Sequence, residues 1–222
     1  MVICGRRLAF LQQAQQRLPQ LHIRQADLTK PEERAALAQG LMRDFPALNM
    51  LVNNAGIQRE CRVLKPGAAE EFLAENEIEP NLTAPIHLTL LLLPHLAQQA
   101  EAAVVNISSG LALVPVAIMP VYCATKAALH SFSIALRMQL AAIRVRVFEV
   151  LPPIVDTDLD KGARKARGQQ VEALSPESVA TATLQGLAAD QYEIAVGKVK
   201  LLQKMVRLIP GKMLALMNKS IH

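Results

Sequence analysis

The sequence predicts an α/β protein built on a Rossmann-like, doubly wound parallel sheet. Three observations carry this. Short apolar runs alternate with helical stretches of ten or more residues along nearly the whole chain. The runs are continuous, as strands are when both faces of a sheet are covered. Polar or turn-forming residues recur just after the runs, at Arg6, Asp27, Asn53, Ser109 and Pro152, and it is outside those strand ends that such a sheet opens its ligand crevice.

The elements follow in order. Val2 to Cys4 forms a short strand, followed by Gly5-Arg6-Arg7. A helix from about Leu8 to Arg17 carries Leu8, Leu11 and Leu18 on one side. Leu21 to Gln25 is a second strand, ending at Asp27-Leu28-Thr29. Thr29 and Glu32 have the spacing of a capping box, so a helix is expected from there to about Asp44. Asn49 to Val52 is a third strand, closed by Asn53-Asn54-Ala55-Gly56. The stretch from about Glu70 to Gln99 is helical, with Pro80, Pro85 and Pro94 expected to kink or divide it. Ala103 to Ile107 is a strand ending at Ser108-Ser109-Gly110. Tyr122 to about Ala142 is a helix, and Val145 to Val150 a strand ending at Leu151-Pro152-Pro153. Ser175 caps a helix with Pro176 at its first position. Tyr192 to Val196 is a last strand. There is no internal repeat or low-complexity linker, so residues 1–197 read as one domain and 198–222 as a basic amphipathic segment.

Composition excludes several classes. At 222 residues and 51% hydrophobic, the chain is long enough for one well-packed core. Aromatics are 3% with no Trp, and the net charge of +5 is spread along the chain. Neither stacking platforms nor a basic stripe for nucleic acid are therefore expected. Cys4, Cys61 and Cys123 form no C-x-x-C and are odd in number, which argues against a disulfide framework and for a reducing compartment. The five histidines lack metal-ligand spacing, so no metal is expected. The N-terminus lacks signal-peptide features, and the apolar run Leu88 to Leu93 is too short to span a bilayer. The expected location is the cytoplasm.

Chemistry concentrates in Val121-Tyr122-Cys123-Ala124-Thr125-Lys126. Tyr122 and Lys126 are four residues apart, so on a helix they share a face. A positive charge beside a phenol favours the phenolate. Bringing a phenol from about 10 to near 7 takes roughly 4 kcal/mol of charge stabilisation. Such a tyrosine is a general acid or base. Y-x-x-x-K alone is a common spacing; the rest of the chain gives it weight. Cys123 beside it reads as packing.

With Asn53-Asn54-Ala55-Gly56, Ser109 and Tyr122-x-x-x-Lys126 in this order, the chain resembles the short-chain dehydrogenase/reductase family, and within it the DltE-type oxidoreductases. The likeness covers Val2 to about Val196. It implies an NADP-dependent oxidoreductase that interconverts a small-molecule carbonyl and a secondary alcohol. The implied roles are Tyr122 as acid/base, Lys126 as its charge partner and holder of the nicotinamide ribose, Ser109 as the substrate hydrogen bond, and Asn81 in a water-linked proton relay. Asn53, Ala55 and Gly56 would line the adenosine side and Asp27 the adenine edge. Val155 and Thr157 match the segment that holds the nicotinamide amide. Arg6, with Arg7, follows the first strand where cations oppose a helix dipole. A 2′-phosphate would explain them, which favours NADP over NAD.

Two departures matter. Pro153 stands where the family has Gly. The family's first strand and its glycine-rich T-G-x-x-x-G-x-G turn, which cradles the pyrophosphate, have no counterpart in this sequence. The first βα unit is missing, and its strand would lie between those at Val2 and Asn49, so two unpaired edges and an uncovered apolar face are expected. The alternative to the enzyme is a dehydrogenase relative that binds no dinucleotide and acts as an interaction protein or is inactive. The segment from Asp158 to Gln170 is polar and says nothing of the substrate. In 198–222, apolar residues from Val199 to Ile209 interleave with Lys198, Lys200, Lys204 and Arg207. Packing on the domain or on a second copy in a homo-oligomer is expected. Peripheral contact with an anionic membrane is the alternative.

Overall fold

The computed structural model describes residues 1–74, 76–159 and 172–219. All its strand pairs are parallel. β1 (Val2–Gly5) pairs with β2 (His22–Gln25), and β3 (Met50–Asn53), β4 (Ala102–Ile107), β5 (Val145–Leu151) and β6 (Glu193–Ala195) form a second sheet in that order. Among the described residues no ladder joins β1 to β3. The break falls where the sequence lacks a strand. Among the described residues no strand pairs with the outer edge of β3, where Met50 is 41% and Val52 51% exposed; Phe10 is exposed on α1 (Leu8–Arg17) and Leu18 just after it.

The β4–β5 pair at the centre of this sheet is almost wholly buried on both faces. β4 and β5 are runs of β-branched and small apolar residues, and side chains alternate across the sheet. Ala102, Val104, Val145 and Val147 face Ala38, Leu92, Leu96, Leu136 and Leu140. These come from α2 (Pro31–Asp44), α4 (Ala84–Leu96), α5 (Pro120–Gln139) and the turn after α5. Ala103, Val105, Phe148 and Val150 face the other way, toward Val179, Ala182 and Leu187 of α6 (Pro176–Ala188). α6 lies so close to β6 that a Cβ on Gly186 would come within 2.6 Å of Ile194 Cγ1.

The expected capping box is absent. Thr29 N–H and its hydroxyl both donate to Asp27 Oδ1, at 3.0 and 2.8 Å, and Glu33, not Glu32, reaches back, accepting from Asp27 N–H at 2.6 Å. α2 starts instead at Pro31, with Lys30 at its N-cap. The aspartate turn satisfies the entry donors before the threonine can.

The prolines divide the long helical stretch into α3 (Ala68–Ala74), one π turn (Glu79–Thr83) and α4. Pro80 and Pro85 flank Asn81 and weaken the ordinary i to i−4 ladder there. Buried Arg34 of α2 clamps this turn, donating to Glu79 Oε1 at 2.5 Å, His87 Nδ1 at 3.0 Å and Leu28 O at 2.6 Å. This clamp helps to hold the β1–β2 pair, through α2, against the rest of the domain.

The last residues form α7 (Val199–Leu208) and α8 (Pro210–Met217), broken at Pro210. Val199 packs on Leu151 and Ala195, and Met217 on the cluster around Tyr122. Asn218 accepts from Ala117 N–H at 2.7 Å and donates to Pro115 O at 3.1 Å. One face of the segment therefore docks on the domain. Leu201, Leu208, Leu214 and Leu216 stay exposed beside the lysines. Among the described residues no helix is long and apolar enough to cross a membrane. Of the polar segment from Asp158 to Gln170, residues 160 onward lie outside the described residues.

An open apolar edge is a template for pairing with another chain. Val52→Lys is expected to lower self-association, measured by light scattering, while changing unfolding free energy by no more than about 0.5 kcal/mol. A loss of several kcal/mol would mean that Val52 is packed in solution.

Candidate active site

α5 starts at Pro120, whose fixed φ suits a first helical position. Its inward stripe is Tyr122, Cys123, Lys126, Leu129, Ser133 and Leu136, at the three- and four-residue spacing of one helix face. Two of these, Tyr122 and Lys126, carry groups that can exchange a proton with a substrate oxygen or hold a charge. Tyr122 and Lys126 are each 5% exposed, and Lys126 Nζ lies 5.8 Å from the Tyr122 ring centroid. The ammonium donates to Ile107 O at the end of β4 at 2.9 Å. Burial pushes Lys126 down to about 8, with the charge of Glu149 acting the other way.

Asn81 joins three pieces of chain. Its Oδ1 accepts from Ile57 N–H at 2.8 Å, and its amide nitrogen donates to Ile57 O at 2.8 Å and Thr125 Oγ1 at 3.2 Å. The side chain thus pins the loop after β3 to α5 and has both N–H groups engaged; a relay water would find only Oδ1 there. A Cβ on Gly56 would lie 3.1 Å from Asn81 Oδ1 and 3.7 Å from Lys126 Nζ. Gly56, Asn81 and Lys126 therefore meet at one point.

Ser109 follows β4 in extended backbone and caps the short 3-10 turn Gly110–Ala112, accepting from Leu111 N–H at 3.1 Å. Its own hydroxyl proton stays available to donate. Leu111 packs against the cluster of Val116, Met119, Tyr122 and Cys123, which sets Ser109 beside the Tyr122 helix. Cys123 is packing: burial pushes its thiol up, and the sulfur bonds the Val116 backbone.

The other expected residues lie at the strand ends. Asn53 is buried, and its amide donates to Thr89 Oγ1 at 3.2 Å and Asn106 Oδ1 at 2.8 Å; those donors hold the sheet to α4. Ala55 is exposed. Val155 and Thr157 are half-buried after β5, where Val155 bridges to Leu174. Arg6 and Asp27 end β1 and β2. Burial raises the Asp27 carboxyl, but the hydrogen bonds from Thr29 and the charges of Arg6 and Lys30 outweigh it and hold Asp27 below the usual range.

Sequence reasoning missed Thr125, which accepts from Asn81 and donates to Tyr122 O at 2.8 Å. It also missed Glu149, a lone carboxylate inside the apolar run Val145–Leu151, a signal that was there to read.

No group of three or more His, Cys, Asp or Glu able to hold a metal occurs among the described residues. The cluster has instead a buried phenol, a buried ammonium and a buried serine hydroxyl at the strand ends, which suits proton transfer to an oxygen atom.

The family described as short chain dehydrogenase matches residues 1–168. The uncharacterized oxidoreductase DltE of Bacillus subtilis is 44% identical over 217 residues, covering 98% of this chain and 86% of that protein. The NADP-dependent 3-hydroxy acid dehydrogenase YdfG of Escherichia coli is 29% identical, covering 82% of this chain and 76% of its own. Among solved structures, a short-chain dehydrogenase from Sphingobium yanoikuyae in complex with NADPH is similar with a TM-score of 0.77 and 25% identity, over 93% of this chain and 83% of that one. The chain belongs to the short-chain dehydrogenase family of oxidoreductases.

Proposed function

We propose that the protein interconverts a carbonyl and a secondary alcohol with NADP, and that Tyr122 is the acid/base. The observation that carries this is the set of buried Tyr122, Lys126, Asn81 and Ser109 at the strand ends, with Gly56 against Asn81 and Lys126.

The nicotinamide end of a dinucleotide suits these residues. Lys126 has three donors and gives one to Ile107 O, leaving two for a ribose diol. Gly56 keeps open the space beside Lys126 that a side chain would enter. Val155 and Thr157, half-buried after β5, would hold the amide, and the loop from Asn53 through Ala55 to Gly56 would back the adenosine side. The pyrophosphate is different. The sequence contains no T-G-x-x-x-G-x-G turn, and the described residues offer no glycine cradle in its place. Arg6, exposed at the end of β1 and electrostatically coupled to Asp27, supports NADP over NAD.

When bound, the nicotinamide supplies or accepts the hydride. Ser109 donates its proton as a hydrogen bond to the substrate oxygen. Tyr122 gives that oxygen a proton during reduction and takes it back during oxidation. The ammonium of Lys126 stabilises the phenolate that remains, and Asn81 keeps the Ile57 loop against α5 so that the two stay aligned. Leu111, Val116, Met119 and Met217 form an apolar wall beside Tyr122, which favours a substrate whose flank is uncharged. The outer face of α7 and α8, with Leu201, Leu208, Leu214 and Leu216 exposed, suits contact with a second copy.

In a form extended by a strand and glycine-rich turn ahead of β1, Tyr122→Phe is expected to lower turnover by about 10² to 10⁴-fold with cofactor still bound. Undiminished turnover would remove Tyr122 from the chemistry. In the same form, Arg6→Asp should raise the Kd of NADPH at least about tenfold, the worth of one charge-assisted hydrogen bond, and leave that of NADH nearly unchanged. Equal losses would show that Arg6 reads no phosphate, and no binding of either nucleotide to the parent would favour an interaction protein.

A further inference from the structure

Glu149 sits where a carboxylate is costly. It is 0% exposed, in the middle of the apolar strand β5. An ion in such a place costs several kcal/mol even after relaxation unless it is compensated. Its Oε2 meets His130 Nδ1 at 2.6 Å. Its Oε1 is buried with no hydrogen-bond partner among the described residues, so hydrogen bonding to His130 compensates only half of it.

The remaining compensation lies one turn away. Lys126 and His130 are four apart on α5 and lie on one face of the helix, above β4 and β5. Lys126 Nζ is anchored on Ile107 O. Ile107 is the register partner of Val150, the residue after Glu149, and Asn106 is the partner of Glu149 itself. Ammonium and carboxylate thus share the water-poor layer between α5 and the β4–β5 pair. The surrounding polar groups in that layer are neutral: Asn106, Ser133, Asn53 and Thr89 bond one another and the backbone.

We propose that Glu149 is a positioning residue for the reaction: its buried carboxylate, held by His130, is the counter-charge that keeps Lys126 an ammonium at the Tyr122 ring. This rests on reading Lys126 as the charge partner of Tyr122. Burial alone drives Lys126 toward the neutral amine, and Glu149 is the charged group opposing it. A neutral amine would not favour a phenolate, and with one N–H given to Ile107 O it would keep a single donor for a ribose diol. His130 is raised by its hydrogen bond to Glu149, against its own burial. The charges of Glu149 and of Glu193 on β6 add to the rise, and Arg137 on α5 opposes it. When neutral, His130 donates Nδ1–H and leaves the full negative charge facing Lys126.

The test is a direct titration of Lys126 in the chain of 222 residues, by NMR of ε-13C lysine with the Lys126 signal assigned from Lys126→Arg. Glu149→Gln keeps the shape and a hydrogen bond to His130 but removes the charge. It is expected to lower the Lys126 midpoint by at least about one pH unit, the smaller end of what a close opposite charge does. Glu149→Met, apolar and of similar volume, should give the same shift and serves if the glutamine variant does not fold. A structural role for the Glu149–His130 pair would leave the midpoint in place, and an unchanged midpoint in either folded variant overturns the proposal. The readout needs no turnover, so the two readings fail separately. A lowered midpoint with an active Tyr122→Phe enzyme would keep the charge coupling and remove Tyr122. An unchanged midpoint with an inactive Tyr122→Phe enzyme would do the reverse.

Discussion

A buried ammonium constrains the rest of this site. Lys126 is almost wholly enclosed, and a lysine so placed tends to give up its proton. Everything near it follows from preventing that while keeping water out. A carbonyl at the end of β4 takes one donor, a buried carboxylate on β5 supplies charge, and the phenol whose ionisation the ammonium would favour sits one helical turn back. Gly56 is small because a Cβ there would press on Asn81 and lie in contact with Lys126. The short 3-10 turn after β4 places Ser109 with its proton free to donate.

The layer beneath α4 and α5 is unusual for a sheet core. Asn53, Asn106 and Glu149 are consecutive register partners across β3, β4 and β5, so polar groups run across the sheet just below the strand ends. Each asparagine meets a helix hydroxyl, Thr89 or Ser133. Satisfied buried networks of this kind rigidify and fix a unique arrangement, whereas half-satisfied ones are costly. Among the described residues the unpaired Glu149 oxygen is the one departure, and it lies on β5, beside the strand whose end anchors Lys126. The stripe thus links the packing of the parallel sheet to the electrostatics of the site.

Much of this was legible in the residues. The continuous apolar runs fixed the strand positions to within a residue or two because burial on both faces leaves little freedom of register. Tyr122, Lys126, Asn81 and Ser109 stood out because their spacing and order are unusual together, and the structure places them at the strand ends. Glu149 was overlooked because one acidic residue in an apolar run reads as a solvated edge position until its neighbours are known. The helix start after Thr29 was misplaced because a turn built on Asp27 competes for the same donors. The tail was left between packing on the domain or a second copy and contact with an anionic membrane because an apolar face interleaved with lysines suits either, and only tertiary contacts through Val199, Met213 and Met217 show which side is inward.

The account turns on whether Lys126 acidifies Tyr122. The chain has two tyrosines, so a Tyr192→Phe background leaves Tyr122 as the only phenol. Phenolate absorbance near 295 nm then reports its ionisation directly as pH is raised, before and after Lys126→Met. The account predicts that phenolate forms at distinctly lower pH with Lys126 present. Superimposable titrations of the two proteins would contradict it.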